Sequence, residues 1–100
     1  MQHEPVSKRY GDPIEVEVAG GLPLAFVWRG RRYDVDQYLS SWLEAPAAVR
    51  APDVRFHRVL ARPAGLTATG DLDPDGFGSP LGAVYDLAQE NTWRLARVWD

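Results

Sequence analysis

Alternating carboxylates on a tight turn make the sharpest chemical pattern in the chain. Asp71-Leu72-Asp73-Pro74-Asp75-Gly76 has the Asp-x-Asp-x-Asp-Gly spacing that opens an EF-hand calcium loop. This spacing lets Asp71, Asp73 and Asp75 converge on one hard cation, and glycine at the sixth place permits the bend. The second half departs from the pattern: Gly82 stands where a bidentate Glu is needed, Pro74 stiffens the fourth place, and no helical periodicity flanks the segment. The segment reads first as acidic turn chemistry, with a weak calcium site at the three aspartates as the alternative.

A second pattern places arginines beside aromatic rings. Phe26-Val27-Trp28-Arg29-Gly30-Arg31-Arg32-Tyr33-Asp34-Val35 alternates apolar and polar residues around a turn, and Trp93-Arg94-Leu95-Ala96-Arg97-Val98-Trp99 does so near the C-terminus. Trp, Tyr and Arg dominate the hot spots of protein interfaces. The same residue types stack bases and hold phosphates when a small barrel binds single-stranded nucleic acid. Trp28, Arg29, Arg31, Arg32, Tyr33 and Arg97 are therefore the candidate partner-binding residues. A docked protein is the leading expectation and single-stranded nucleic acid the alternative, unless the rings belong to the core and the arginines to a solvated turn.

Nothing else has the makings of an active site. His57 lies between Phe56 and Arg58 with no orienting acid at motif spacing, so it reads as a scaffold residue. Ser40-Ser41 lacks a nucleophile-elbow context. Gly76-Phe77-Gly78-Ser79-Pro80-Leu81-Gly82 lacks the Lys-Ser/Thr of a phosphate-binding loop. A non-enzymatic domain that needs no cofactor is expected.

One hundred residues with 45% apolar content suit one core and one domain. The absence of cysteine rules out disulfides and thiolate zinc sites. No window approaches the roughly 20 apolar residues of a membrane span, and the cytoplasm is the expected compartment. The formal charge of −3 is uneven: residues 1–62 carry nine Lys/Arg against eight Asp/Glu, and residues 63–100 carry two against six. That balance lacks the field of a protein held to duplex DNA by its phosphates. Ten arginines against one lysine read as the codon preference of a G+C-rich genome.

These residues must be positioned by β-structure. A flexible start over 1–9 leads into an alternating strand with Ile14, Val16 and Val18 on one face. Gly20-Gly21 turns the chain into a strand with Leu24, Phe26 and Trp28 on one side. A two-residue hairpin follows at Gly30-Arg31, or at Arg29-Gly30, which would set Phe26 opposite Tyr33. Val35, Leu39, Trp42 and Leu43 then fall at helical spacing, predicting a short helix over 36–44. Val54–Leu60 is a strand, residues 61–82 form a long loop, and Val84–Leu87 with Trp93–Trp99 make a second hairpin. In it Trp93, Leu95 and Trp99 share a face. The fold expected is all-β with one short helix: a strongly bent antiparallel sheet or open small SH3-like barrel of about six strands, filling residues 10–100. A monomer is compatible with this layout, and so is a homodimer joined through an unprotected terminal strand.

The order Arg9-Tyr10-Gly11-Asp12-Pro13-Ile14-x-Val16, Phe26-x-Trp28-Arg29-Gly30-Arg31-x-Tyr33-x-Val35, Trp42, Phe56-x-Arg58-Val59, Tyr85-Asp86-Leu87 and Trp93-x-Leu95-x-Arg97-Val98-Trp99-Asp100 resembles a family of small uncharacterised proteins, largely from high-G+C Gram-positive bacteria. The resemblance covers most of the chain outside 45–53 and 61–82. Related segments form the C-terminal tails of Y-family polymerase-like proteins of damage-tolerant DNA synthesis. The resemblance implies an accessory role in DNA repair, with a replication or repair protein as partner. It implies no catalytic residues, and the aspartates of 71–76 lie outside the shared pattern.

Overall fold

A computed structural model describes residues 7–45, 52–64 and 82–99. Six strands follow one another: β1 (Ser7–Ala19), β2 (Leu22–Trp28), β3 (Arg31–Glu44), β4 (Val54–Pro63), β5 (Ala83–Gln89) and β6 (Trp93–Trp99). Each pairs antiparallel with the next, and β1 pairs with β6, so the sheet closes into a small barrel. Closure leaves β1 and β6 bonded to each other where a terminal edge was expected, and removes the strand-addition route to a homodimer along their paired length. The strand begins earlier than expected, since Ser7, Lys8 and Arg9 already pair with β6.

Two of the tight turns follow from residues that tolerate positive φ. Gly20 and Gly21 have φ of 59° and 81°, and Arg29 and Gly30 have 53° and 77°, in the manner of hairpin turns whose twist matches the strands they join. The second turn is thus Arg29-Gly30 rather than Gly30-Arg31, and Phe26 faces Tyr33. The two rings stack at 5.1 Å and 13°. The barrel interior is filled by Ile14, Phe26, Trp28, Tyr33, Val59, Ala61, Tyr85, Leu87, Leu95 and Val98. Four of these are large rings, so the interior is a packed core.

The expected helix over 36–44 is not formed; β3 runs through it. Register shifts between Val35 and Gln37 and between Tyr38 and Ser40 each interrupt the alternation, so inward Tyr33 and Val35 are followed by Tyr38 three residues on. Bulged strand spacing therefore imitates a helical period. Leu39 and Leu43, which a helix would bury, are 42% and 53% exposed. A shift between Glu17 and Val18 acts similarly in the β1–β2 pair, leaving Val18 and Leu24 exposed while Ile14, Phe26 and Trp28 are buried. Residues 61–63, expected to open the long loop, belong to β4, which reaches Pro63, and Ala64 N–H donates to the Arg32 carbonyl at 2.9 Å.

Candidate functional site

The hairpin cluster is dispersed by the fold. Trp28 and Tyr33 are core residues, each almost fully buried. Trp28 Nε1–H donates to Asp12 Oδ2 at 2.8 Å, and Arg29 Nε donates to the same oxygen at 3.1 Å. The Arg29 guanidinium lies 4.7 Å from the Trp28 ring and 5.3 Å from the Tyr10 ring. Arg32 is held by Glu17 at 2.8 Å and Asp34 at 3.0 Å, and these hydrogen bonds raise its pKa above the ordinary value, Glu17 contributing most. Arg31 opens β3 opposite Trp28 and is half-buried. Arg29 and Arg32 thus carry acids of their own, and solvent screens what such pairs present outward. Arg97 stands on a different face.

The Asp12 carboxyl is held below its ordinary value of 3.8, first by the Trp28 hydrogen bond and then, against some desolvation, by the hydrogen bond and charge of Arg29. A folded-state pKa below the unfolded one contributes stability above the unfolded value, and that contribution is lost as pH falls through the folded value. The melting temperature of wild type is therefore expected to exceed that of Asp12→Asn at neutral pH, with the gap closing below about pH 4.

On the outer wall, one transverse row of paired positions reads Ser40, Arg58, Asp86, Arg97, Arg9 across β3, β4, β5, β6 and β1. A bulge creates the right-hand part of this row. Leu87 pairs with Leu95 but Asp86 pairs with Arg97, so Ala96 is the extra residue and alternation slips by one. Leu95 and Val98 both point into the core, and Arg97 and Trp99 turn outward. Trp99 thus leaves the face that it was expected to share with Leu95.

Asp86, 3% exposed, anchors the wall. Its carboxylate accepts from Arg58 Nε at 2.7 Å and Nη2 at 3.0 Å, and from Trp99 Nε1 at 3.0 Å. The Arg58 guanidinium carbon lies 4.9 Å from the ring centres of both Trp42 and Trp99. Phe56 stacks on Trp42 at 5.5 Å, Trp42 Nε1–H donates to Glu44 at 2.9 Å, and the Arg97 guanidinium lies 4.9 Å from Trp99. The bidentate bond to Asp86 holds the Arg58 pKa above its ordinary value, against the opposing effect of burial. The result is a ladder of rings and guanidinium groups, Phe56, Trp42, Arg58, Trp99 and Arg97, fixed around one buried carboxylate. Beside it lies a cleft of about 270 Å³ reached by Arg9, Tyr10, Trp42, Arg58 and Arg97.

Of the sequence-derived candidates only Arg97 stands in this ladder. Arg9, Trp42, Phe56, Arg58, Asp86 and Trp99 were missed. Trp42 was hidden by its helical spacing and Trp99 by the bulge. The available signal was Asp86, a charged residue placed between the apolar Tyr85 and Leu87.

A larger cleft of about 680 Å³ at one end of the barrel is lined by residues that include Leu43, Arg55, Gln89 and Thr92. Behind it His57 is buried, with the Tyr38 hydroxyl 2.7 Å from Nδ1 and Gln89 Oε1 2.8 Å from Nε2. With the Gln89 oxygen accepting, Nε2 donates and Nδ1 accepts from Tyr38. Both ring nitrogens are engaged within the protein, whereas a general base needs one facing substrate. Asp71, Asp73 and Asp75 lie outside the described residues, and among those described no three His, Asp or Glu side chains gather as a metal site. No described helix is long and apolar enough to cross a membrane.

Over residues 1–100 the chain matches the family described as a domain of unknown function (DUF6504), and it belongs to that family. No curated protein and no solved structure matches it.

Proposed function

We propose that this member of the family is a non-enzymatic, cytoplasmic protein-interaction module whose docking face is the outer wall around Arg58, Trp99 and Arg97. The observation that carries the reading is the ladder built on Asp86. Its rings and guanidinium groups are already fixed in place, so a partner that covers them immobilises few free rotors. Trp and Arg are also the residue types that contribute most when an interface buries them. A filled interior supports this reading, since the chemistry on offer lies on the outside of the barrel. The resemblance to tails of damage-tolerance polymerase-like proteins makes a replication or repair protein the natural partner class.

Single-stranded nucleic acid is the second reading, supported by Arg9 and Arg97 on the same wall. It is weakened by the ring surfaces: Trp42 is already stacked on Phe56 and covered by Arg58, and Trp99 carries both Arg58 and Arg97. Little free π-face remains for a base. Co-purification of the tagged chain from its native cytoplasm, with and without nuclease, tests both readings. A specific protein retained after nuclease by wild type and lost with Arg97→Glu is the expected result. Material lost with nuclease would move the assignment to nucleic acid, and retention unaffected by Arg97→Glu would remove this wall as the docking face.

A further inference from the structure

The wall carries an electrostatic mismatch that the fold does not relieve. Arg9 and Arg97 are direct cross-strand partners on the antiparallel β1–β6 pair, where like charges repel. Among the described residues neither has an ion-pair partner. The nearest carboxylate in their row, Asp86, already accepts three hydrogen bonds from Arg58 and Trp99 and is buried beneath them. Trp99 holds the Arg97 guanidinium by its ring, which leaves the N–H edge of that group available to an acceptor. Elsewhere on the barrel, Arg29, Arg32 and Arg62 each have an acid within 3.1 Å. Arg55 and Arg94 are engaged by uncharged acceptors, Ser41 Oγ and the Gly11 carbonyl, so Arg9 and Arg97 stand out among the described residues as two cations set opposite each other with neither an acid nor a neutral acceptor.

We infer that Arg9 and Arg97 bind side-chain carboxylates of an acidic peptide segment on a partner protein, seated in the cleft beside the ladder. This rests on the reading of the wall as a docking face and names the chemistry of the occupant. Two planar guanidinium groups match carboxylates through paired N–H donors. The cleft, at about 270 Å³, falls just below the roughly 300–1,000 Å³ of sites that enclose small molecules, and suits side chains arriving on an extended segment. Tyr10, Trp42 and Phe56 give it an apolar lining, and the carboxylate of Glu44, which also lines it, accepts from Trp42 Nε1–H at 2.9 Å. Nucleic acid is disfavoured by the occupied indole rings.

Fluorescence anisotropy with the full chain provides the test, using fluorescein-labelled hexaglutamate and, separately, labelled oligothymidylate of equal charge at low salt. Hexaglutamate is expected to bind better than the oligonucleotide, and Arg9→Gln and Arg97→Gln are each expected to weaken it about tenfold, the loss of one contact to a charged group. Arg29→Gln, whose parent is paired with Asp12, is expected to bind as wild type does. Arg9→Gln is also expected to melt no lower than wild type, because it removes a repulsion, so a loss of binding there cannot be ascribed to unfolding. Tighter binding of oligothymidylate, no binding of hexaglutamate at millimolar concentration, or wild-type affinity in the two variants would each overturn the inference. A nuclease-resistant partner that depends on Arg97 while hexaglutamate fails to bind would sink the acidic-peptide assignment and leave the docking face standing.

Discussion

Trp28→Ala is expected to lower the stability of the barrel by about 4 kcal/mol, read as a fall in the urea midpoint with little change in slope. The side chain is 1% exposed and its ring meets Tyr10 at 5.1 Å, Tyr33 at 6.1 Å and Tyr85 at 6.5 Å. These neighbours come from four different strands counting Trp28's own, so no single backbone shift can collapse the space left behind. Domains of this size hold about 5–15 kcal/mol in all, and one substitution would therefore remove a large part of the total. Trp28→Phe keeps most of the volume and loses the Nε1–H bond to Asp12; about 2 kcal/mol is expected. The same variant removes the largest cause of the lowered Asp12 pKa. Its melting temperature should accordingly depend less on pH on the acid side than that of wild type.

Trp28 also shows which parts of the architecture were readable in the amino-acid order. The alternation through Phe26, Trp28, Tyr33 and Val35 and the glycines at 20, 21 and 30 carry strand and turn information locally, and the all-β small barrel follows from them. The helix expected over 36–44 failed because bulges are decided by pairing between distant strands. The shifts opposite Leu60 and Val59 put Tyr38 three residues after Val35, and no residue within 36–44 announces them. Barrel closure is non-local in the same way, since Arg9 meets Arg97 only once every intervening strand is in place.

The docking wall was less legible still, for a related reason. Arginines beside aromatics were visible at Trp28–Tyr33, but adjacency in sequence put their side chains on opposite faces, with the rings inside and Arg29 and Arg32 outside on acids. The ladder joins Trp42, Arg58 and Trp99 from β3, β4 and β6 through a carboxylate on β5. Such a cluster requires the strand order and also the Ala96 bulge that turns Trp99 outward. Arg97, a candidate from the C-terminal aromatic-arginine run, lies over the Trp99 ring.

Asp86→Ala is expected to cost about 3 kcal/mol, and Arg58→Ala about 4 kcal/mol, in the range found when one partner of a buried ion pair is removed. The order follows from exposure. The Arg58 side chain remains 34% exposed and water can solvate it once Asp86 is gone, whereas Asp86, with a side chain 5% exposed, would be left as a buried charge that retains only the Trp99 donor. Arg58 cannot escape by losing its proton, because a guanidinium stays charged even without a partner. Combining Arg58→Met with Asp86→Leu should recover most of the loss, since an apolar pair of similar volume carries no desolvation penalty, and the double-mutant cycle should return a coupling above about 2 kcal/mol. The pair is neutral as a unit, so the double variant should keep hexaglutamate binding within about threefold while Arg9 and Arg97 remain. If it folds and loses that binding, the Asp86-anchored Arg58 is needed to seat the acidic segment; if binding persists, Arg9 and Arg97 hold the segment without it.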